Sequence, residues 1–381
     1  MTMIIKRDYY LQQLISSKSN NLIKIVTGIR RSGKSFLLFN LFHNHLIETG
    51  ISEDHIIEIA LDDRLNKNLR DPDVILQHIH ERIVDDKLYY IILDEVQMID
   101  EFTDVLNSLL HIRNADVYVT GSNSKFLSKD VVTEFRGRGD EIHLFPLSFA
   151  ELYNSIGGDK FELWKSYYTY GGLPGILELD SEKKKAAYLR SLHETVYLKD
   201  IIERNNLKNS EEFMELMRVM ASCIGSPCNP SKLENTFKSV KNETLDRKTI
   251  SKYLSYMEDA FLIEKSMRYD IKGRKYIGTL SKYYFQDIGL RNALLNFRQV
   301  EENHIMENVI YNELRLRGFC VDVGMVEART AKERKQLEVD FVANMADRRY
   351  YIQSAFAMPD DDKREQECAS FKKKSTIPLR R

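Results

Sequence analysis

Eight residues near the start of the chain, Gly28-Ile29-Arg30-Arg31-Ser32-Gly33-Lys34-Ser35, restrict its fold more than any other stretch. They match the spacing GxxxxGK[ST]. The run Leu22 to Thr27 before them reads as a short buried strand, and Phe36 to Leu41 after them reads as the opening of a helix. A glycine-rich turn in that setting curls backbone N–H groups around an anion, and the helix N-terminus adds partial positive charge. In such a loop the lysine, here Lys34, reaches the β- and γ-phosphates of a nucleoside triphosphate, and the hydroxyl of Ser35 holds Mg²⁺. A match of this length also arises by chance. The flanking strand and helix are what make it informative.

A second segment supports the first. Tyr89-Tyr90-Ile91-Ile92-Leu93-Asp94-Glu95 is an apolar strand that ends in two adjacent acids. Asp94 suits the Mg²⁺ shell, directly or through water, and Glu95 suits polarising an attacking water. The plainer reading is a strand whose end is acidic. The Glu favours ATP hydrolysis over a GTPase-type switch.

With 381 residues the chain has room for two to four domains. A formal net charge of −1 provides no global field toward nucleic acid or membrane, so any nucleic-acid site must be a local patch. The cysteines at 223, 228, 320 and 368 fit no zinc spacing and read as reduced thiols of a cytoplasmic protein. The longest apolar runs are too short to span a bilayer, and Met1 to Arg7 does not read as a secretory leader.

The first 145 residues alternate strand and helix patterns. Five candidate strands are Leu22 to Thr27, Ile56 to Leu61, Tyr89 to Leu93, Val117 to Gly121 and Glu141 to Phe145. Their apolar runs barely alternate, as a parallel sheet covered on both faces requires. The segment Val74 to Val84 has helical spacing. This is a doubly wound α/β pattern, with its ligand at the carboxyl ends of the strands. Residues 146–206 read as a helical lid, broken by Gly171-Gly172-Leu173-Pro174-Gly175. Residues 207–280 follow the order helix, helix, helix, hairpin, which is that of a winged helix. Residues 281–381 form a last unit, with an amphipathic helix from Asn303 to Arg317 and paired strands Glu338 to Val342 and Tyr350 to Gln353. After Met358 the pattern dissolves into charge runs, and a frayed end is expected.

With these residues laid out, the chain resembles a prokaryotic family of AAA-type P-loop ATPases. Its members carry a winged helix and a C-terminal domain similar to restriction-endonuclease-like folds. The resemblance rests on GIRRSGKS, LDEVQ, TGSNSKFLS, FRGRGDEIHLFPLSFAEL, YGGLPGIL, RKTISKYLSYMEDAFLI and KGRKYIGTLSKYYFQDIGLRNAL. It implies a Mg²⁺-dependent ATPase with an AAA+-like core. Ser122 or Asn123 would sense the γ-phosphate. Arg138 stands where an arginine finger is expected, possible in a neighbouring subunit and so implying self-association. The alternative is that Arg136 and Arg138 flank a turn.

In the last domain the resemblance implies a metal held by Glu307, Asp340 and Gln353, with a lysine at position 355. That position is Ala355. Alternation places residues 353 and 355 on one strand face, so the amine is missing where the motif needs it. The domain is therefore expected to be degenerate or truncated, and metal-dependent nuclease activity is the less favoured reading. Between Asp246 and Lys275 there are eight Lys or Arg against five acids. That patch suits double-stranded DNA, with Arg247, Lys248 and Lys252 on a recognition helix and Arg274 and Lys275 on the wing. A solvated face, or docking of another protein, explains it equally. The competing functions are an ATP-hydrolysing machine and a DNA-associated regulator that uses ATP to set its shape.

Overall fold

The computed structural model describes residues 5–121, 137–241, 245–298, 301–329, 334–355 and 364. The chain divides into two compact units. The first comprises residues 1–158, 173–178 and 259–261, and the second comprises the remainder.

The first unit is built on five strands: β1 (Ile23–Thr27), β2 (Ile56–Ala60), β3 (Tyr89–Asp94), β4 (Ala115–Thr120) and β5 (Gly139–His143). All pair in parallel, in the order β2-β3-β4-β1-β5. Every residue of β1 and β3 is buried. Mostly apolar runs produce this result because helices cover both faces, and the polar residues buried here, Lys24, Thr27 and Asp94, have hydrogen-bond or ionic partners. Ile57, Ile91, Leu93, Val117 and Val119 share one core cluster with Ile75, Ile79, Val105, Leu106 and Leu109 of the covering helices. The helix over the expected Val74–Val84 stretch is Pro72–Arg82, with Asp71 capping the amides of Asp73 and Val74. All five expected strands are present, within two residues of the positions read from the sequence.

The order has a direct consequence. β4 lies between β3 and β1, so the carboxyl ends of all three strands adjoin. At the opposite ends of β1 and β4, Lys24 is fully buried and pairs with Asp116. Lys24 also donates to Leu22 O at 2.9 Å, and Asp116 accepts from Ser19 N at 3.0 Å and from Tyr118 OH at 2.9 Å.

The second unit contains the three helices and hairpin in the expected order. The helices are Ser210–Ser222, Pro230–Thr236 (continued by a π segment, Phe237–Lys241) and Arg247–Asp259. The hairpin is β6 (Ile263–Asp270) with β7 (Lys275–Phe285). Three further strands follow: β8 (Cys320–Arg329), β9 (Arg334–Met345) and β10 (Arg348–Ile352). They join the hairpin in one sheet, ordered β10-β9-β8-β6-β7, through a parallel pairing of β6 with β8. The boundary expected at 280/281 thus falls inside β7, and 207–280 and 281–381 share a sheet. An isolated hairpin is marginal in water, and pairing with β8 satisfies the free edge of β6. The expected lid, 146–206, is likewise divided. The helix Phe149–Ile156 and residues 173–178 belong with the first unit, and the helices Lys160–Tyr170 and Glu182–Leu192 belong with the second.

The short helix Ile288–Leu294 is buried at every residue, including Arg291 and Asn292. Several of its polar groups pair with backbone groups, most of them from distant segments. Asp287 accepts from Leu290 N at 2.9 Å and from Gly172 N at 2.8 Å, and Arg291 donates to Ala221 O at 2.8 Å. Asn292 donates to Tyr168 O and Thr169 O, both at 2.9 Å. Among the described residues no helix is long and apolar enough to cross a membrane. Cys223, Cys228 and Cys320 are free thiols, and Cys368 lies outside the described residues with the expected frayed end.

The Lys24–Asp116 pair yields a stability prediction. Lys24→Met leaves a buried carboxylate without its counter-ion and is expected to destabilise the first unit by about 3–5 kcal/mol, whereas Lys24→Met with Asp116→Leu costs clearly less. Urea unfolding of the parent and the two variants measures both differences.

Candidate nucleotide site

The site is assembled where β1, β3 and β4 end. Past Thr27 the chain turns at Gly28, whose φ of 136° lies in a region that L side chains avoid. A Cβ there would lie 2.2 Å from Leu144 O, so no other residue fits without moving that backbone. Left-handed conformations at Arg31 (φ 66°) and Gly33 (φ 98°) complete the loop, and Gly33 O accepts Leu37 N at 2.9 Å in the first helical turn. Ile29 and Ser32 are buried, Arg30 is half-buried and Arg31 is exposed. Lys34 is only 5% exposed. Its ammonium donates to Gly28 O at 3.0 Å and Ile29 O at 3.2 Å, filling the hollow of its own loop. Burial pulls its pKa down to about 8, against the opposing pull of Glu95 and Asp94.

Asp94 closes β3 and is buried. Ser35 Oγ donates to its Oδ2 at 2.7 Å, and Thr120, the last residue of β4, donates to its Oδ1. Burial raises the Asp94 pKa, and the hydrogen bonds from Thr120 and Ser35 work against that rise. The Thr120 hydroxyl also accepts Glu95 N at 2.9 Å. Glu95 takes a left-handed backbone (φ 53°), uncommon for a residue with a Cβ, and its carboxylate accepts the amide of Gln97. One hydroxyl therefore positions both acids. The donor set fits Mg²⁺: a hydroxyl and a carboxylate already in contact, beside the glycine loop.

On the outer side of the loop, Arg7 is buried and donates to Ser32 O at 3.3 Å and Phe145 O at 2.7 Å. Its Nε lies 2.8 Å from Glu151 Oε1, and its guanidinium covers the Tyr10 ring at 4.7 Å. A cavity of about 620 Å³ opens beside Ser32 and Gly33, walled by Ile5, Phe36, Leu147, Pro174 and Leu177 with Arg7 and Glu178. Its size and apolar walls suit a nucleoside base. Thr120, Gln97 and Arg7 were not singled out in the sequence. Thr120 looks like an ordinary strand former and Arg7 like an ordinary surface charge. Only the Gln of LDEVQ left a trace, as part of a motif.

Other predicted residues fall elsewhere. Arg138 is exposed just before β5, where its carbonyl accepts Ile23 N at 2.9 Å and its side chain donates to Asn107 Oδ1 at 3.2 Å. Ile23 starts β1, so Arg138 lies a strand's length from its own loop, roughly 16 Å at 3.3 Å per residue. Ser122, Asn123 and Arg136 lie outside the described residues. In the second unit, Glu307, on the helix Glu302–Leu316, and Asp340, on β9, are both buried and interact electrostatically. Gln353 Oε1 lies 3.4 Å from Asp340 N, so the three predicted residues do share a neighbourhood.

A family profile described as an AAA domain matches residues 20–153, and one for a domain of unknown function matches residues 161–301. An uncharacterized protein of Haemophilus influenzae is 34% identical over 365 residues, covering 94% of this chain and 88% of its own length. The chain belongs to this AAA-domain family. A Methanocaldococcus jannaschii relative of the family is 29% identical over 388 residues, covering 97% of this chain and 81% of its own. The Aeropyrum pernix ORC1 protein, solved in complex with DNA, is similar at 11% identity and a TM-score of 0.31, covering 77% of this chain and 93% of that one.

A bound triphosphate would favour the charged form of Lys34, so a lysine whose pKa burial lowers to about 8 takes up a proton on binding wherever the pH leaves it partly neutral. At pH 8 the expected uptake is about half a proton per ATP, falling toward zero by pH 6. ATP affinity weakens as pH rises above about 8 for the same reason. Calorimetry in two buffers of different ionisation enthalpy measures the uptake. Lys34→Arg, always charged, is expected to show none.

Proposed function

We propose that the protein is a Mg²⁺-dependent ATPase that converts ATP and water to ADP and phosphate. The observation that carries this reading is the Thr120 hydroxyl bonded both to the Asp94 carboxylate and to the Glu95 amide, beside a glycine loop whose buried lysine donates to the Gly28 and Ile29 carbonyls. The residues divide the work. Backbone amides of residues 28–35 and the Lys34 ammonium hold the phosphate chain in place. Ser35 and Asp94 would hold Mg²⁺, which when bound would offset the negative charge of the phosphates. Glu95 accepts the proton of the attacking water, with its backbone fixed by Thr120. The cavity beside Gly33 takes the base.

Ser122 and Asn123, following β4, sense the γ-phosphate in this reading. The position of Arg138 at the far end of β1 supports donation to the nucleotide of a second copy and so self-association. Nucleotide state is passed on to a winged-helix module and a nuclease-like module.

A second reading, a DNA-associated regulator, is supported by one observation. The hairpin tip presents Lys272, Arg274, Lys275 and Tyr276, all exposed, and the helix Arg247–Asp259 exposes Lys248 and Lys252. Arg247 contributes less, because Glu234 Oε2 lies 2.6 Å from its Nε.

Lys34→Ala is expected to abolish ATP binding. Glu95→Gln is expected to bind ATP within a few-fold of the parent and to lose about 10²–10⁴ in turnover. Parent-like phosphate release from both variants would remove the ATPase reading. If Arg138 acts between copies, the specific activity of the parent rises with protein concentration, and Arg138→Ala flattens that rise without changing ATP affinity. For the second reading, duplex affinity is expected to fall steeply with salt and to weaken in Lys272→Ala/Arg274→Ala/Lys275→Ala. No binding at low salt overturns it.

A further inference from the structure

The acid cluster of the second unit holds a cation that belongs to the chain. Glu307 and Asp340 are 6% and 7% exposed, and Glu338 shares the Asp340 face of β9 two residues earlier. The endonuclease-like resemblance would have such acids hold a divalent metal, with a lysine at 355. Position 355 is alanine, and the ammonium arrives from another strand. Lys282 of β7 is 2% exposed, and its Nζ lies 2.8 Å from Glu307 Oε1 and 2.7 Å from Glu338 Oε1. Tyr284, two residues along β7, donates to the same Glu307 oxygen at 2.7 Å. Asp340 Oδ2 is occupied as well, accepting Ser354 N and Ser354 Oγ, both at 2.8 Å.

These contacts do not fit a metal. A divalent cation with oxygen ligands needs the same carboxylate oxygens at about 2.0–2.6 Å. A metal at that distance from Glu307 Oε1 and Glu338 Oε1 would collide with, and be repelled by, the ammonium that bridges them. Among the described residues no group of three His, Cys, Asp or Glu is arranged to hold a metal ion. Burial depresses the lysine pKa, but Glu307 and Glu338 outweigh burial and raise it above its usual value. The two carboxylates therefore favour the charged form of the lysine.

We infer that Lys282 is the resident cation of this cluster in place of a divalent metal, which closes the second unit to metal-dependent phosphodiester cleavage. The cluster then serves to join β7, β9 and the helix Glu302–Leu316.

The test uses Mn²⁺ on the full chain without nucleotide, read by electron paramagnetic resonance and thermal unfolding. The parent is expected to bind no Mn²⁺ beyond what Asp94→Asn removes, and to leave supercoiled plasmid intact. Lys282→Met exposes the acids to one another. It is expected to lower the melting temperature and to make it rise with Mn²⁺, a rise that Lys282→Met/Glu307→Gln loses. Lys282→Arg keeps a cation and is expected to remain unresponsive to Mn²⁺. Parent Mn²⁺ binding that Glu307→Gln abolishes would overturn the inference. Plasmid cleavage that Lys282→Met abolishes would do the same, making Lys282 a relocated catalytic amine. A folded Lys282→Met with no Mn²⁺ response would also overturn it.

Discussion

The Asp94 carboxylate is the point on which the first unit converges. It accepts Ser35 from the helix after β1 and Thr120 from the end of β4, while its own backbone ends β3. A buried carboxylate is tolerated only when its oxygens are satisfied, and each donor here comes from a different segment. The requirement therefore fixes the phosphate loop against the sheet. The strand order makes it possible. With β4 between β3 and β1, the acid and the loop lie two strands apart and the Thr120 hydroxyl stands between them. Thr120 also fixes the Glu95 amide, so the same residue sets the backbone of the proposed base. Preorganisation of this kind matters to catalysis because a carboxylate held in place reorganises little when the water reacts.

The first unit was legible in the sequence because its signals are local. Five apolar runs, a glycine loop and an acidic strand end each declare themselves within six to eight residues. Its tertiary ties were not. Thr120 and Arg7 acquire meaning only from partners 26 and 138 positions away, Asp94 and Phe145. No window of sequence brings those residues together. Arg138 illustrates the converse. Its place in a motif was readable, but its distance from the loop follows from the parallel register of β5 on β1, Ile23 against Gly139.

The second unit was harder to read for physical reasons. β8 went unrecognised because Gly324 interrupts it, and glycine inside an apolar run reads as a turn. In the fold that glycine is a point of close approach. A Cβ there would lie 2.9 Å from Ile271, Val339 and Val342 side-chain atoms, so the strand passes where only glycine fits. Without β8, the β6–β7 hairpin looked like the end of one domain, when it is two strands of a five-stranded sheet. The helix Ile288–Leu294 hid in the same way. Its Arg291 and Asn292 suggest a surface, yet both are buried with backbone partners contributed by distant segments.

Two buried lysines show how one residue type serves opposite ends. Lys34 and Lys282 are both almost fully enclosed, so both pay the cost of leaving water. They differ in what faces the ammonium. Lys34 meets two neutral carbonyl oxygens, and its pKa falls to about 8 because nothing in direct contact carries a full negative charge. Such a lysine gains by meeting an anion, and the loop around it is shaped to admit one. Lys282 meets two carboxylates within 2.8 Å, and its pKa rises. Its electrostatic demand is met inside the fold, so it has little to gain from a ligand. An unsatisfied buried charge marks a place where a ligand completes the structure, and a satisfied one marks a place where the structure completes itself. By that criterion the glycine loop around Lys34, and not the acid cluster around Lys282, is the place suited to an anionic ligand.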